Sequence, residues 1–98
     1  MMDERRKDQR FLLDAFGLLL QDGLVSRVRI RDKNLTGIGA LARQEFKPGQ
    51  QGVVVTSWDH DRPAQEMPVE ICWCLPDPMS EDEKFRYRLG LRILNATA

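Results

Sequence analysis

Apolar and polar residues alternate with a period of two over most of the chain beyond residue 24. The most regular segment is 85–93, in which one face carries Phe85, Tyr87, Leu89, Leu91 and Ile93. Its other face carries arginines and Gly90. Successive side chains of a strand point to opposite faces, so the pattern predicts a strand with one buried side. In segment 26–31 the same pattern directs Ser26, Val28 and Ile30 inward, between three arginines.

Two further segments have strand character. Residues 67–74 alternate in a way that predicts Trp73 in the core together with Val69 and Ile71. The β-branched run 53–56 favours another strand.

Turn signals separate these segments. The sequence Gln21-Asp22-Gly23 is typical of a tight hairpin, because glycine readily adopts the left-handed conformation. In Lys47-Pro48-Gly49-Gln50, Pro occupies the first corner of a predicted turn and Gly the second. Short alternating segments joined in this way predict a small antiparallel barrel or sandwich.

The apolar run 11–20 is ambiguous. Its Leu, Ala and Phe residues occur at mixed spacings and have helical propensity, so periodicity alone slightly favours a helix. Residues 1–10 are charged throughout, and we predict that they form a flexible N-terminal arm ahead of a single domain spanning 11–98.

Composition limits the classes of function. A chain of 98 residues can bury one compact core. Its formal net charge is zero, which argues against an extended surface for nucleic acid polymers. No stretch has the length of a membrane span or the pattern of a signal peptide. We therefore expect a cytoplasmic protein that does not insert into membranes.

Metal binding and catalysis find little support in the sequence. Cys72 and Cys74 flank one tryptophan, and the single histidine, His60, lies in a polar loop. A structural zinc site would need further ligands, and no arrangement of nucleophile, base and acid is evident. We predict neither a metal, nor a cofactor, nor an enzyme activity.

Two polar motifs remain. The chain holds three Arg-x-x-x-Arg pairs among eleven arginines, so the pattern alone carries little information. The pair Arg6 and Arg10 differs from the others because it lies on the charged arm, directly before the first apolar run. The second motif is the glycine-containing turn 34–39, Asn-Leu-Thr-Gly-Ile-Gly, in which Asn can bond its own backbone and Gly allows close approach of a ligand.

These two motifs, in this order, resemble the signature of the PilZ domain family, RxxxR followed by (D/N)xSxxG. The resemblance extends through Pro48-Gly49, Trp73 and the closing segment 88–93, over roughly residues 5 to 95. It implies a six-stranded antiparallel β-barrel, in which 11–20 is a strand, and a bacterial receptor for the second messenger cyclic di-GMP.

The resemblance also implies the ligand-binding residues, which are Arg5, Arg6, Arg10, Asn34, Thr36 and Gly39. Two arginines can hold a guanine and the phosphodiester through paired hydrogen bonds. Asn34 would bond the base edge, Thr36 would supply a hydroxyl in place of the usual serine, and Gly39 would leave room for the ligand. The additional arginine, Arg5, favours an intercalated pair of ligand molecules over one.

We expect the arm to become ordered over the ligand and the signal to pass to an unidentified protein partner, in pathways such as motility or biofilm formation. One alternative is a PilZ-like adaptor that binds proteins but no nucleotide. Another is a small nucleic-acid-binding barrel that uses Arg27, Arg29 and Arg31 as a phosphate track.

Overall fold

The computed structural model describes residues 11–56, 64–80 and 83–94. This part of the chain forms six strands: β1 (Phe11–Gln21), β2 (Leu24–Lys33), β3 (Gly37–Ala42), β4 (Gln51–Thr56), β5 (Gln65–Pro76) and β6 (Tyr87–Ile93). All neighbouring strands are antiparallel, and they close into a barrel in the order β1-β2-β3-β6-β5-β4. The predicted six-stranded antiparallel barrel is confirmed, whereas the predicted arm, residues 1–10, lies outside the described residues.

The core lies inside the barrel because each strand directs alternate apolar side chains inward. Its largest fully buried members are Leu19, Ile30, Ile38, Ile71, Leu89, Val28, Val54 and Val69. Phe46, which precedes β4, is also buried, and its backbone N–H donates to Sγ of Cys74 at 3.4 Å. Of the inward residues predicted for β2 and β6, Val28, Ile30, Leu89 and Leu91 are buried in the core, and Tyr87 and Ile93 pack against it.

Both predicted turns form. Asp22 and Gly23 have positive φ angles of 50° and 80°, as a two-residue hairpin requires, and Gln21 pairs with Leu24 across the turn. At the second turn the Gln50 N–H donates to the Lys47 carbonyl at 3.3 Å. Gly49 there has a φ of 92°, a conformation that side chains disfavour.

The preference for a helix at 11–20 is wrong, and the strand implied by the family resemblance is confirmed. This segment pairs with β2 on one side and with β4 on the other, so hydrogen bonding on both edges outweighs helical propensity. The sequence of this strand shows no alternation of apolar and polar residues, because its outward positions are also apolar. Phe16 is 56% exposed and Leu18 is 38% exposed.

The predicted inward position of Trp73 is also wrong. The register between β5 and β6 shifts between Ile71 and Trp73, which indicates a β-bulge. The extra residue breaks the alternation, so Cys72 and Trp73 both lie on the outer surface, while Cys74 packs against the core. Trp73 is 40% exposed.

Within the described residues, no helix has the length and apolar character needed to cross a membrane.

The division between inner and outer faces predicts how truncations affect stability. Ile71→Ala should lower the free energy of unfolding by about 2–5 kcal/mol, because it leaves a cavity at a fully buried position. The matched truncation Leu24→Ala, at a position 60% exposed, should change it by less than about 0.5 kcal/mol. Urea unfolding followed by circular dichroism measures both, and equal losses would contradict the assigned faces.

Candidate functional site

The turn between β2 and β3 is organised by the side chain of Asn34. Its Oδ1 accepts hydrogen bonds from the N–H groups of Thr36 at 3.0 Å and Gly37 at 2.7 Å. The Asn34 N–H donates to the Gly37 carbonyl at 3.0 Å, which completes the turn. Asn34 is 5% exposed, so it supports the turn from beneath while Thr36 remains on the surface.

The start of β1 lies beside this turn. Phe11 pairs with Lys33, the residue directly before Asn34. The carbonyl of Thr36 accepts a hydrogen bond from the N–H of Ile93 at 2.8 Å, which ties the turn to the end of β6. The pairing register therefore brings the point at which residues 1–10 join the barrel next to the glycine-containing motif.

Two paired glycines form a flat floor on the outer surface of the barrel. Gly39 on β3 pairs with Gly90 on β6 and also with Asp32 on β2. A Cβ atom on Gly39 would lie 2.7 Å from Oδ1 and 2.8 Å from Oδ2 of Asp32. The carboxylate of Asp32 therefore occupies the space that a Cβ at 39 would fill, so a larger residue there would require the Asp32 side chain to move.

The indole of Trp73 covers the second glycine of the floor. A Cβ on Gly90 would lie 2.2 Å from Nε1 and 2.3 Å from Cε2 of Trp73. The guanidinium carbon of Arg88 lies 5.9 Å from the Trp73 ring centroid, within the range of a cation–π interaction. The absence of a side chain at 90 thus lets the indole lie directly against the backbone of β6.

These features line one groove of about 800 Å³ on the outer surface of the sheet. Its lining includes Thr36, Gly37 and Gly39, together with Trp73, Arg88 and Gly90. The loop between β5 and β6 contributes Asp77, Met79 and Ser80. Three arginines line the groove as well, namely Arg31, Arg88 and Arg92. The groove therefore combines cationic groups, a carboxylate at Asp32 and an aromatic surface.

One of these arginines already has a partner. Arg92 forms an ion pair with Glu70 across β5 and β6, through its Nη2 and the Oε1 of the carboxylate. The hydrogen bond and the negative charge of Glu70 raise the pKa of Arg92 above its ordinary value. The positive charge of Arg92 is therefore partly directed toward Glu70 rather than toward the groove.

The structure brings together part of the predicted ligand set. Thr36 and Gly39 line the groove, and Asn34 lies beneath it. Arg5, Arg6 and Arg10 lie outside the described residues, so their role stays a prediction.

The sequence analysis missed the contributions of Asp32, Trp73 and Arg88. The sequence held one indication that a ring lies here, namely Gly90 on the outward side of an otherwise regular strand. A glycine at that position leaves room for a neighbouring ring. Which ring fills that room depends on the register between β5 and β6, which local sequence does not reveal.

Among the described residues, no three or more side chains of the His, Cys, Asp or Glu type come together as metal ligands would.

The comparisons with known proteins agree with this architecture. The fold resembles the PilZ domain of YcgR from Escherichia coli, a structure with c-di-GMP, with a TM-score of 0.74 and 17% identity, covering 96% of this chain and 81% of that one. It also resembles the Bacillus subtilis inhibitor of motility MotI/DgrA, with a TM-score of 0.72 and 15% identity, covering 98% of this chain but only 45% of that one. No curated protein matches the sequence. The family model of the PilZ domain matches residues 4–98, and the chain therefore belongs to the PilZ domain family.

Proposed function

We propose that this protein is a receptor for cyclic di-GMP, which binds in the groove beneath the N-terminal arm. Membership of a family of regulatory binding domains supports this function, and so does the similarity to a PilZ domain described with c-di-GMP. The observation that carries the proposal is the register of β1. Phe11, the first described residue after the arm, pairs with Lys33, which directly precedes the 34–39 turn.

The groove has chemistry that suits a guanine dinucleotide. Guanine presents N–H donors on its Watson–Crick edge, and the carboxylate of Asp32 can accept them. Arg31 and Arg88 offer positive charge to the phosphates. The exposed face of Trp73 provides a surface on which a purine can stack.

The remaining roles fall to the arm and the turn. Arg6 and Arg10 hold one guanine and the phosphodiester by charge-assisted hydrogen bonds, a task for which lysine lacks the planar fork. Asn34 positions the turn, since its Oδ1 is already bonded to two backbone N–H groups. Thr36 presents its hydroxyl, and its methyl group adds bulk that a serine would not.

The ligand binds as an intercalated pair. Arg5 extends the arginine pair of the arm by one residue, and Trp73 lies against Gly90, which pairs with Gly39. One molecule contacts the arm and the turn, while a guanine of the second stacks on Trp73. This stoichiometry rests on two separate stacking groups, the arginines of the arm and the indole of Trp73.

The output is contact with a protein partner, in the cytoplasm, after the arm has ordered over the nucleotide. The fold similarity to YcgR and to an inhibitor of motility favours control of motility as the pathway. The second candidate is an adaptor that binds proteins without nucleotide, and the retained groove disfavours it.

Removal of either arm arginine should weaken nucleotide binding. Arg6→Ala and Arg10→Ala should each raise the dissociation constant for cyclic di-GMP by about 10- to 100-fold, because each loses a charge-assisted hydrogen bond. Isothermal titration calorimetry measures the constant and the stoichiometry, for which we expect two molecules per chain.

Arg27→Ala provides the matched control, because Arg27 is an exposed arginine of β2 that does not line the groove. It should bind as the wild-type protein does. A folded wild-type protein that shows no heat of binding would leave the adaptor as the function, and saturation at one molecule would reject the intercalated pair.

Loss of the indole should affect the second ligand molecule more than the first. Trp73→Ala should weaken binding by about tenfold or more through lost stacking, and Trp73→Phe should recover part of it. Gly90→Ala should also weaken binding of the second ligand molecule. The indole is still present in this variant, but the new Cβ would displace the ring.

A double variant tests whether that effect passes through the ring. In a Trp73→Ala background the clash at residue 90 is gone, so Gly90→Ala should cause little further loss. Independent, additive losses would show that Gly90 acts without Trp73.

A further inference from the structure

The outer face of the β1–β2 hairpin carries apolar side chains beside a row of arginines. Alternate residues of β1 point outward, and these are Phe16, Leu18 and Leu20. Their cross-strand neighbours on β2 are Arg29, Arg27 and Val25, in that order. We call these six residues the hairpin face.

The apolar part of this face is exposed and continuous. Phe16 is 56% exposed, Leu18 38% and Val25 63%. On the other side of β1 the outward neighbours are also apolar, because Leu18 pairs with Val55 and Leu20 with Val53. Isolated exposed apolar residues are ordinary, but a contiguous set on paired strands is typical of an interaction surface.

The charge beside the apolar row has one sign. The outward residues of β2 after Val25 are Arg27, Arg29 and Arg31. The Arg29 guanidinium carbon lies 5.9 Å from the centroid of the Phe16 ring, so cationic and apolar groups adjoin directly. Arg31 also lines the groove, which places the groove at one end of this row. A complementary surface would carry apolar side chains flanked by carboxylates on one side.

Barrel closure restricts how a partner can bind here. Over residues 17–20 both edges of β1 are paired, one with β2 and the other with β4, so no strand can be added to this part of it. A partner must therefore contact side chains on the face. Outward residues of β1 recur every ~7 Å, giving an apolar row of about 14 Å, which corresponds to two to three turns of an α-helix.

We propose that the hairpin face binds an amphipathic helix of a partner protein, with an apolar stripe on β1 and acidic residues opposite Arg27 and Arg29. This inference rests on the proposed relay to a protein partner and does not depend on nucleotide binding. The apolar stripe contributes affinity, and the one-sided charge selects acidic over basic helices.

A synthetic pair of peptides tests this chemistry. The acidic probe is a helical peptide of about five turns, with Leu on one face and Glu along one flank. The basic probe carries Lys in place of each Glu. Amide signals of isotope-labelled protein should shift and saturate at Leu18, Leu20, Val25 and Arg27 with the acidic probe. The basic probe should bind at least about tenfold more weakly.

Two variants separate the apolar and the charged contributions. Leu18→Glu should abolish binding of the acidic probe, because it places a carboxylate within the apolar row. Arg27→Glu should weaken binding of the acidic probe and strengthen binding of the basic probe. A protein that is merely destabilised would not show this reversal. Arg86→Glu makes the same charge change at an exposed position outside the hairpin face and should leave both probes unaffected.

The proposal would be overturned if the acidic probe gave no saturable shift, if the two probes bound equally, or if the shifts were centred away from the hairpin face. It would also be overturned if the wild-type protein were a dimer in sedimentation velocity and Leu18→Glu dissociated it. The last result would assign the face to a second copy of the chain. Calorimetry with cyclic di-GMP on the same samples separates the two proposals, since Leu18→Glu should retain nucleotide binding and Arg6→Ala should retain peptide binding.

Discussion

Pairing of β1 with β4 is the interaction on which the rest of the structure depends. Without it the six strands would form an open sheet with two exposed edges. The two strands approach closely at Gly17, where an added Cβ would lie 3.1 Å from both Cβ of Thr56 and the carbonyl oxygen of Val55. The Thr56 hydroxyl donates to the Phe16 carbonyl at 3.0 Å across the same contact. Closure then separates the side chains into an apolar interior and an outer surface that is available for binding.

The registers of two other strand pairs arrange the outer surface. Pairing of β1 with β2 sets the start of β1 alongside the end of β2, so that residues before Phe11 join the barrel beside the Asn34 turn. Pairing of β3 with β6 makes Gly39 and Gly90 neighbours in the barrel wall, where the missing side chains admit Asp32 and Trp73. A groove with a carboxylate, a ring and arginines thus results from backbone register together with two glycines. The proposed nucleotide site uses this wall, and the proposed docking face uses the adjoining hairpin.

Much of the fold was predictable from local sequence, because alternation and turn chemistry act over a few residues. The inward positions of Val28, Ile30, Leu89 and Leu91 and the turn at Asp22-Gly23 are of this kind. The strand at 11–20 was not predictable from periodicity, since both of its faces are apolar, and the family resemblance supplied it. The bulge after Ile71 and the stacking of Trp73 on Gly90 depend on pairing between distant segments, so the sequence placed Trp73 on the wrong face. The family motif supplied Thr36, Gly39 and Asn34, but it gave no indication of Asp32 or Arg88.

The outer wall of β3, β6 and β5 is the face that we propose for nucleotide binding. The most direct test is a titration of isotope-labelled protein with cyclic di-GMP, followed by amide and indole N–H signals. We expect saturable shifts at Thr36, Gly37, Gly39 and Gly90 and at the Trp73 indole, with Leu18 and Val25 unchanged. Shifts confined to other surfaces, or none at saturating nucleotide, would contradict it.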